Sequence, residues 1–527
     1  MSTSWSFDHE NTFMKAKAAG KEEAFHRQYE NAVEVVREGF GGTHPIFVGG
    51  KERKVRQTFD DRSPIDTTIL LGKFASASRK DARDAVGAAK KAYPGWAATP
   101  WKERVAILRR AADIIAQRKY ELAAMMSFEN GKNRLEAMAD VDEAADLIRW
   151  YCQQMVVNDG FENEMPRVYG NEKTKSVLKP YGVWGVVSPF NFPFAIALGM
   201  TSGAIITGNT AVLKPASDTP FMALLGYEIL TDAGVPPGVL NYVTGAGSTV
   251  GAELTENPDI AGFAFTGSRA VGVQAFKALS EEFPKPVVCE LGGKNPTIVT
   301  DKADVAEAAE GVGRGAFGYG GQKCSACSRV YVHKAVKAEF TEELIEWTER
   351  QEIGDPTERE VYLGPLINET AYRNYQAAAR RAKAAGKILT GGRLVKEKPL
   401  DRGYYVEPTV VDRLPKDHAI FKDELFVPLL AMATVGSLEE GLAEANDSEY
   451  GLTAGLMSHD EDEIRYFLDH IEAGVVYVNR HYGSTTGAMV GAQPFGGWKH
   501  SGMTGKAAGG LYYLQQFMRE QSQSIYS

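Results

Sequence analysis

Cys324 lies in Gly-Tyr-Gly-Gly-Gln-Lys-Cys-Ser-Ala-Cys-Ser (318–328), after six glycines between Gly311 and Gly321. Glycine has no Cβ, so such a run lets backbone approach a ligand closely. A thiolate presented there is an accessible nucleophile. The loop alone leaves three readings open: a nucleophile, a structural cysteine in a flexible loop, or a C-x-x-C redox pair or half a zinc site with Cys327. Zinc would need two further ligands in a compatible pair. Cys152 and Cys289 are isolated, and the nine histidines form no H-x-x-x-H pattern. Glu290 ends an apolar strand ahead of Leu291-Gly292-Gly293. Against apolar neighbours its pKa should rise and suit it to general-base work. Its plainer role is a solvated strand-end carboxylate. Asn191 sits between Pro189 and Pro193, whose rings hold the local backbone. A rigid amide there can donate to a developing oxyanion, or simply cap the next helix.

Two glycine patterns, Gly245-x-Gly247-x-x-x-Gly251 and Gly267-x-x-x-x-Gly272, each follow a strand and open a helix. Helix N-termini attract phosphate through free N–H groups and the dipole. The first pattern has one residue too many for G-x-G-x-x-G, and tight strand-to-helix turns use glycine anyway. Lys214, just past an apolar strand, is within reach of a ribose hydroxyl or is merely solvated.

The elements that must carry these residues follow from hydrophobic periodicity. Residues 1–45 read as polar and helical, followed by short strands at HPIFVGG and ILLGKFA. From 78 to 156 apolar residues recur at three-to-four spacing, a helical pattern. Between 166 and 288, apolar β-branched runs alternate with helical stretches, which predicts a parallel sheet covered on both faces. A second α/β stretch runs from 295 to 485, and the last 25 residues read as a helix with a polar tail.

The chain has 527 residues, enough for two to four domains, with 44% hydrophobic and 24% charged residues. A net charge of −9 without a basic run argues against nucleic-acid binding. The uncharged stretch from Tyr181 to Leu213 is broken by prolines, glycines and asparagines, so it reads as strand, loop, helix and strand and not as a membrane span. Four cysteines and no apolar leader predict a cytoplasmic protein.

Taken in order, VVSPFNFPF, AVLKPA, FTGS, CELGGKNP, GGQKCSACS, DELFVP and QPFGGWKHSG resemble the aldehyde dehydrogenase superfamily from about residue 50 to 515. The resemblance implies that Cys324 is the nucleophile and Glu290 the general base. It makes the Asn191 side chain and the Cys324 N–H the oxyanion hole. NAD would then be held by Lys214 at the adenosine ribose, Gly267 and Ser268 at the pyrophosphate and Glu424 at the nicotinamide ribose, with Ser217, Gly292 and Phe426 also binding the cofactor. Two places depart from the common pattern: Val427 stands where glycine is frequent, and Ser217 where NAD-preferring members often have glutamate. The missing carboxylate removes a repulsion against a 2′-phosphate, which leaves NADP possible beside NAD.

Within the superfamily the segments around Cys324 and Gln493 are most similar to the glutamate-γ-semialdehyde (1-pyrroline-5-carboxylate) dehydrogenases. That implies backbone N–H groups of Gly487 and Ala488, with the Ser325 hydroxyl, on the substrate α-carboxylate. Phe192 and Phe495 would flank the aliphatic chain, and Glu143 would meet the α-ammonium or remain a surface residue. The implied architecture is a Rossmann-type NAD-binding domain (1–159 and 180–288), an α/β catalytic domain (289–485), and an oligomerisation flap with the C-terminal segment (160–179 and 486–527). The implied partners are a small-molecule aldehyde and a second copy of the chain, with no metal, nucleic acid or membrane. Oxidation of another aldehyde is the alternative activity, followed by a C-x-x-C thiol redox function.

Overall fold

The computed structural model describes residues 7–482 and 489–526. Two seven-stranded sheets dominate it. The first runs in the order Val287–Glu290, Ile260–Thr266, Val183–Val187, Thr210–Lys214, Leu240–Tyr242, Ile46–Val48 and Lys51–Arg53. Its first five strands are parallel and the last two antiparallel. Strand interiors such as Thr210–Lys214 and Leu240–Tyr242 are buried along their whole length. The interleaved helices Ala195–Ile206 and Pro220–Asp232 are also apolar nearly all round, as helices enclosed by other elements must be.

Chain order along this sheet reverses between Val183–Val187 and Ile260–Thr266. In open parallel sheets the crevice outside the carboxyl ends at such a switch point receives ligands, because adjacent loops diverge there. The turn carrying Asn191 leaves one of these strands, and Gly267 with Ser268 leaves the other.

The second sheet has the order Lys387–Thr390, Thr409–Asp412, Leu429–Val435, Cys327–His333, Asn295–Val299, Thr453–Met457 and Val475–Val478. All its pairings are parallel except that of the first edge strand. Glu290 closes the last strand of the first sheet, and Asn295 opens the next strand, in the second. The short link Leu291–Lys294 therefore sets carboxyl ends of the first sheet against amino ends of the second.

A third sheet pairs Glu162–Glu164 with Glu172–Pro180, and Glu172–Pro180 in turn with Met518–Tyr526. This corrects the helical expectation for the C-terminus. Only a short 3₁₀ turn, Tyr513–Phe517, precedes a nine-residue antiparallel strand. Alternation in the polar segment REQSQSIY is weak, and the partner strand supplies the backbone hydrogen bonds that decide the conformation.

Trp184 joins the first sheet to this C-terminal segment. It is wholly buried, and its ring lies 4.5 Å, centroid to centroid, from Phe517. Trp184→Ala should destabilise the fold by about 3–5 kcal/mol through cavity formation. Urea unfolding followed by tryptophan fluorescence and circular dichroism measures this.

Candidate active site

The glycine run ahead of Cys324 divides in two. Gly311, Gly313 and Gly315 belong to the helix Val305–Phe317. A Cβ at Gly313 would stand 2.3 Å from the Trp347 ring, so this glycine serves helix packing and not ligand approach. Only the end of the run is loop-like. Tyr319, Gly320 and Gly321 have φ of 51°, 61° and 68°, and a Cβ at Gly321 would lie 2.6 Å from the Val427 carbonyl oxygen. The loop bearing Cys324 and the loop bearing Glu424 therefore press together backbone to backbone.

Several bonds hold the loop bearing Cys324. Gln322 accepts from the Ile367 N–H at 2.9 Å. The Tyr319 hydroxyl donates to the Asn130 carbonyl at 2.8 Å. Lys323 pairs with Glu136 at 2.7 Å. Asn295 donates to the carbonyls of Cys324 and Ala326 at 2.7 and 2.9 Å, and its Oδ1 accepts the Thr453 N–H at 3.0 Å. Sequence reading missed Asn295. Its only signal was its place in CELGGKNP, and nothing there shows that its amide bridges two strands.

The Cys324 side chain is partly accessible, yet protein surrounds it closely. Burial, aided by the carboxylates of Glu424 and Glu290, pushes its thiol up to about 12, while the N–H groups of Ser325 and of Cys324 itself point at the sulfur and oppose the shift. Cys324 is thus a thiol at neutral pH. Burial also pushes Glu290 up to about 8, against one hydrogen bond from the Gly497 N–H at 3.2 Å. Glu290 is accordingly not a freely solvated strand end. It is a carboxyl that can take up or release a proton near neutrality.

Asn191 is buried beside Phe192 in the turn before Ala195–Ile206. It does not cap that helix. The N-cap residue is Phe194, with no side-chain cap, and Asp140 accepts the Ala195 N–H at 2.7 Å. Asp140 also pairs with Lys132 at 2.8 Å, both side chains being fully buried. The Lys132 ammonium stands 3.6 Å from the Phe192 ring centre and 5.1 Å from that of Tyr319. One desolvated cation thus ties the Asn191–Phe192 turn to the loop bearing Cys324. Glu143, one turn beyond Asp140, is half-buried and pushed up to about 7 by burial and the Asp140 charge.

Lys214 is buried and not solvated. Its Nζ donates to the Pro215 carbonyl at 2.9 Å, and burial lowers it to about 8. Ser217 is exposed. Ser268 is the N-cap residue of Arg269–Leu279 but makes no side-chain cap, and Gly267 precedes it. Glu424 accepts the Gly293 N–H at 2.9 Å, and a Cβ at Gly292 would lie 2.2 Å from its Oε2, so a side chain there would displace the Glu424 carboxylate. Phe426, at φ 59°, packs edge-on to Phe190 at 5.8 Å. Ser325 is buried, and its carbonyl accepts from the Thr453 hydroxyl at 3.2 Å. Phe495 is half-buried and bridges to Ala508. Gly487 and Ala488 lie outside the described residues. Cys327 lies buried in its strand, 3.2 Å from the Thr297 hydroxyl, and burial pushes its thiol up to about 11.

A cavity of about 790 Å³ lies elsewhere, between Trp101, Arg104, Pro180 and Arg519. None of the side chains discussed above lines it. Among the described residues no helix is long and apolar enough to cross a membrane.

Iodoacetamide should label Cys324 faster than Cys152, Cys289 or Cys327, which are buried, and its rate should climb steeply from pH 7 to 10 as the thiolate fraction grows. Peptide mass spectrometry at several pH values checks both statements.

Residues 51–522 match the model of the aldehyde dehydrogenase family. A 1-pyrroline-5-carboxylate dehydrogenase of Geobacillus sp. (strain WCH70) is 35% identical over 498 residues, covering 93% of this chain and 95% of the relative. The protein named 1-pyrroline-5-carboxylate dehydrogenase 2 of Bacillus subtilis (strain 168) is 36% identical over 496 residues, 93% and 94% of the two chains. Among solved structures, 1-pyrroline-5-carboxylate dehydrogenase from Thermus with bound NAD superimposes with a TM-score of 0.92 at 34% identity, covering both chains completely.

Proposed function

The chain belongs to the aldehyde dehydrogenase family, and we propose that it oxidises L-glutamate γ-semialdehyde, the open form of 1-pyrroline-5-carboxylate, to L-glutamate with NAD. The observation that carries this is the end-to-end likeness to an enzyme of that name crystallised with NAD.

The residues fit the cofactor. The switch-point crevice, the uncapped helix start at Ser268 and the buried ammonium of Lys214 provide donors for phosphate and ribose. Glu424, desolvated against Gly292 and Gly293, can accept from ribose hydroxyls. When bound, NAD supplies the two-electron acceptor. Ser217 leaves the adenosine ribose without a facing carboxylate, and Asp218 is engaged by Asn368 at 3.1 Å, so NADP is an acceptable second cofactor.

Cys324 Sγ gives up its proton to solvent and attacks the aldehyde carbon, giving the thiohemiacetal oxyanion. Asn191 Nδ2 and the Cys324 N–H meet the oxyanion. Loss of hydride from that carbon leaves a thioester on Cys324. Glu290 then removes a proton from water, which attacks the thioester, releases the carboxylate product and restores the thiol. On the substrate's far side, Ser325 and the Gly487 and Ala488 N–H groups hold the α-carboxylate. Phe192 and Phe495 enclose the methylenes, and Glu143 faces the α-ammonium. The exposed edge of Met518–Tyr526, with Ile525 and Tyr526 uncovered, suits pairing with a second copy. A net charge of −9 and four unpaired cysteines suit the cytoplasm.

Cys324→Ala should abolish NADH formation while NAD still binds by calorimetry, and Asn191→Ala should lower kcat by roughly 10²–10³. Because Glu290 must be ionised to act as base, thioester hydrolysis should accelerate as pH rises through about 8. Glu290→Gln should remove that rise and let the acyl-enzyme accumulate, as seen by mass spectrometry of quenched protein. Glutamate should compete with the aldehyde, and propionate, which lacks the α-amino acid head, should do so poorly; equal inhibition constants would remove the carboxylate anchor.

A further inference from the structure

Residues 7–12 lie across the helix Arg134–Val157, the helix that carries Glu143. The Glu10 N–H donates to both oxygens of Asp146 at 3.1 and 3.3 Å. Thr12 donates to Asp142 through its N–H at 2.6 Å and its hydroxyl at 2.7 Å. Both carboxylates are more than nine-tenths buried. The Glu10 carboxylate pairs with Arg149 and, at 3.6 Å, with Lys119. The Phe7 ring stands edge-on to Trp150 at 5.5 Å. These bonds are too numerous and too enclosed for a loose terminus.

The same segment touches the turn that follows Ala488. His9 Nε2 lies 2.8 Å from the Val490 carbonyl oxygen, so the ring nitrogen facing it carries the proton and donates. Val490 is buried, and Met489 and Gln493 exchange backbone hydrogen bonds at 3.0 and 2.8 Å around it. Gly491, at φ 72°, lies so close to Trp150 that a Cβ there would stand 2.7 Å from the ring. Gln493 is tied to Val476 at 2.6 Å and to Arg480 at 3.3 Å. The turn is therefore clamped between Trp150, Gln493 and one bond from the N-terminal segment.

We propose that Phe7–Thr12 is a positioning strap whose His9–Val490 bond fixes the turn Met489–Gln493 against the Glu143 helix and so sets affinity for the α-amino acid head of the substrate. This rests on the function proposed above. His9 touches neither substrate nor cofactor and acts through the backbone of Val490. Without its donor the carbonyl of Val490, itself a buried residue, loses the hydrogen bond it accepts from His9, which favours a shifted turn.

The test compares His9→Ala and His9→Gln with the full-length parent protein. Glutamine retains a donor near the position of Nε2. In His9→Ala, KM for glutamate γ-semialdehyde should rise about five- to tenfold, the loss of one such bond, with kcat, the KM for NAD and the KM for a head-less aldehyde within about twofold. His9→Gln should restore most of the difference. Amide hydrogen exchange in Met489–Gln493 should quicken in His9→Ala and not in His9→Gln. Unchanged exchange, or equal KM increases for both aldehydes, overturns the strap. If the parent protein shows no preference for the aldehyde with the amino acid head, the substrate reading fails, and exchange at Met489–Gln493 still decides whether His9 fixes the turn.

Discussion

Exclusion of water from the crevice between the two large sheets is the constraint on which the site depends. It raises the Cys324 thiol and the carboxyls of Glu290 and Glu424, and it lowers the ammonium groups of Lys214 and Lys294. The direction is the same in every case: burial favours the neutral form. A protonated thiol at rest resists oxidation and adventitious alkylation. Ionisation is then tied to the arrival of groups that stabilise charge, which is where preorganised donors contribute most. Lys294 belongs to the same environment, since its ammonium is fully buried beside Arg329 and within the field of Glu424.

Such a site is costly to assemble, because desolvated polar groups are tolerated only where partners are fixed in advance. The helix Arg134–Val157 supplies much of that fixing. Glu136 holds Lys323, next to Cys324. Asp140, one turn on, holds both Lys132 and the Ala195 N–H, and through Lys132 the Phe192 and Tyr319 rings. Asp142 and Asp146, on another face of the same helix, bind the N-terminal segment. One helix therefore registers three loops that come from distant parts of the chain. A buried ion pair adds little net stability over an apolar pair, but breaking one costs several kcal/mol, so these contacts specify geometry more than they strengthen the fold.

Much of the first sheet was legible because its strands are apolar throughout and its helices recur at regular intervals, a pattern few other folds accommodate. The roles of Cys324, Glu290 and Asn191 were open from the residues alone, and only their order within a family pattern narrowed them. The structure removes plainer alternatives for two of them: Asn191 caps no helix, and Glu290 is not a freely solvated strand end. The C-terminal strand was not legible. Its residues are polar, its conformation is decided by Glu172–Pro180, and a pairing over more than 300 residues leaves no local trace. The glycines before Cys324 misled for a related reason, since Gly313 answers to Trp347, a residue far along the chain.

Residue types and local spacing determined the α/β class, the reactive groups and the turns that present them, because periodicity and backbone freedom are properties of short segments. The tertiary structure alone decided their ionisation and mutual placement. Burial depends on everything packed around a group, and the side chains that hold this site, Lys132, Asp140, Asn295 and His9, reach it across separations in sequence that no local pattern encodes.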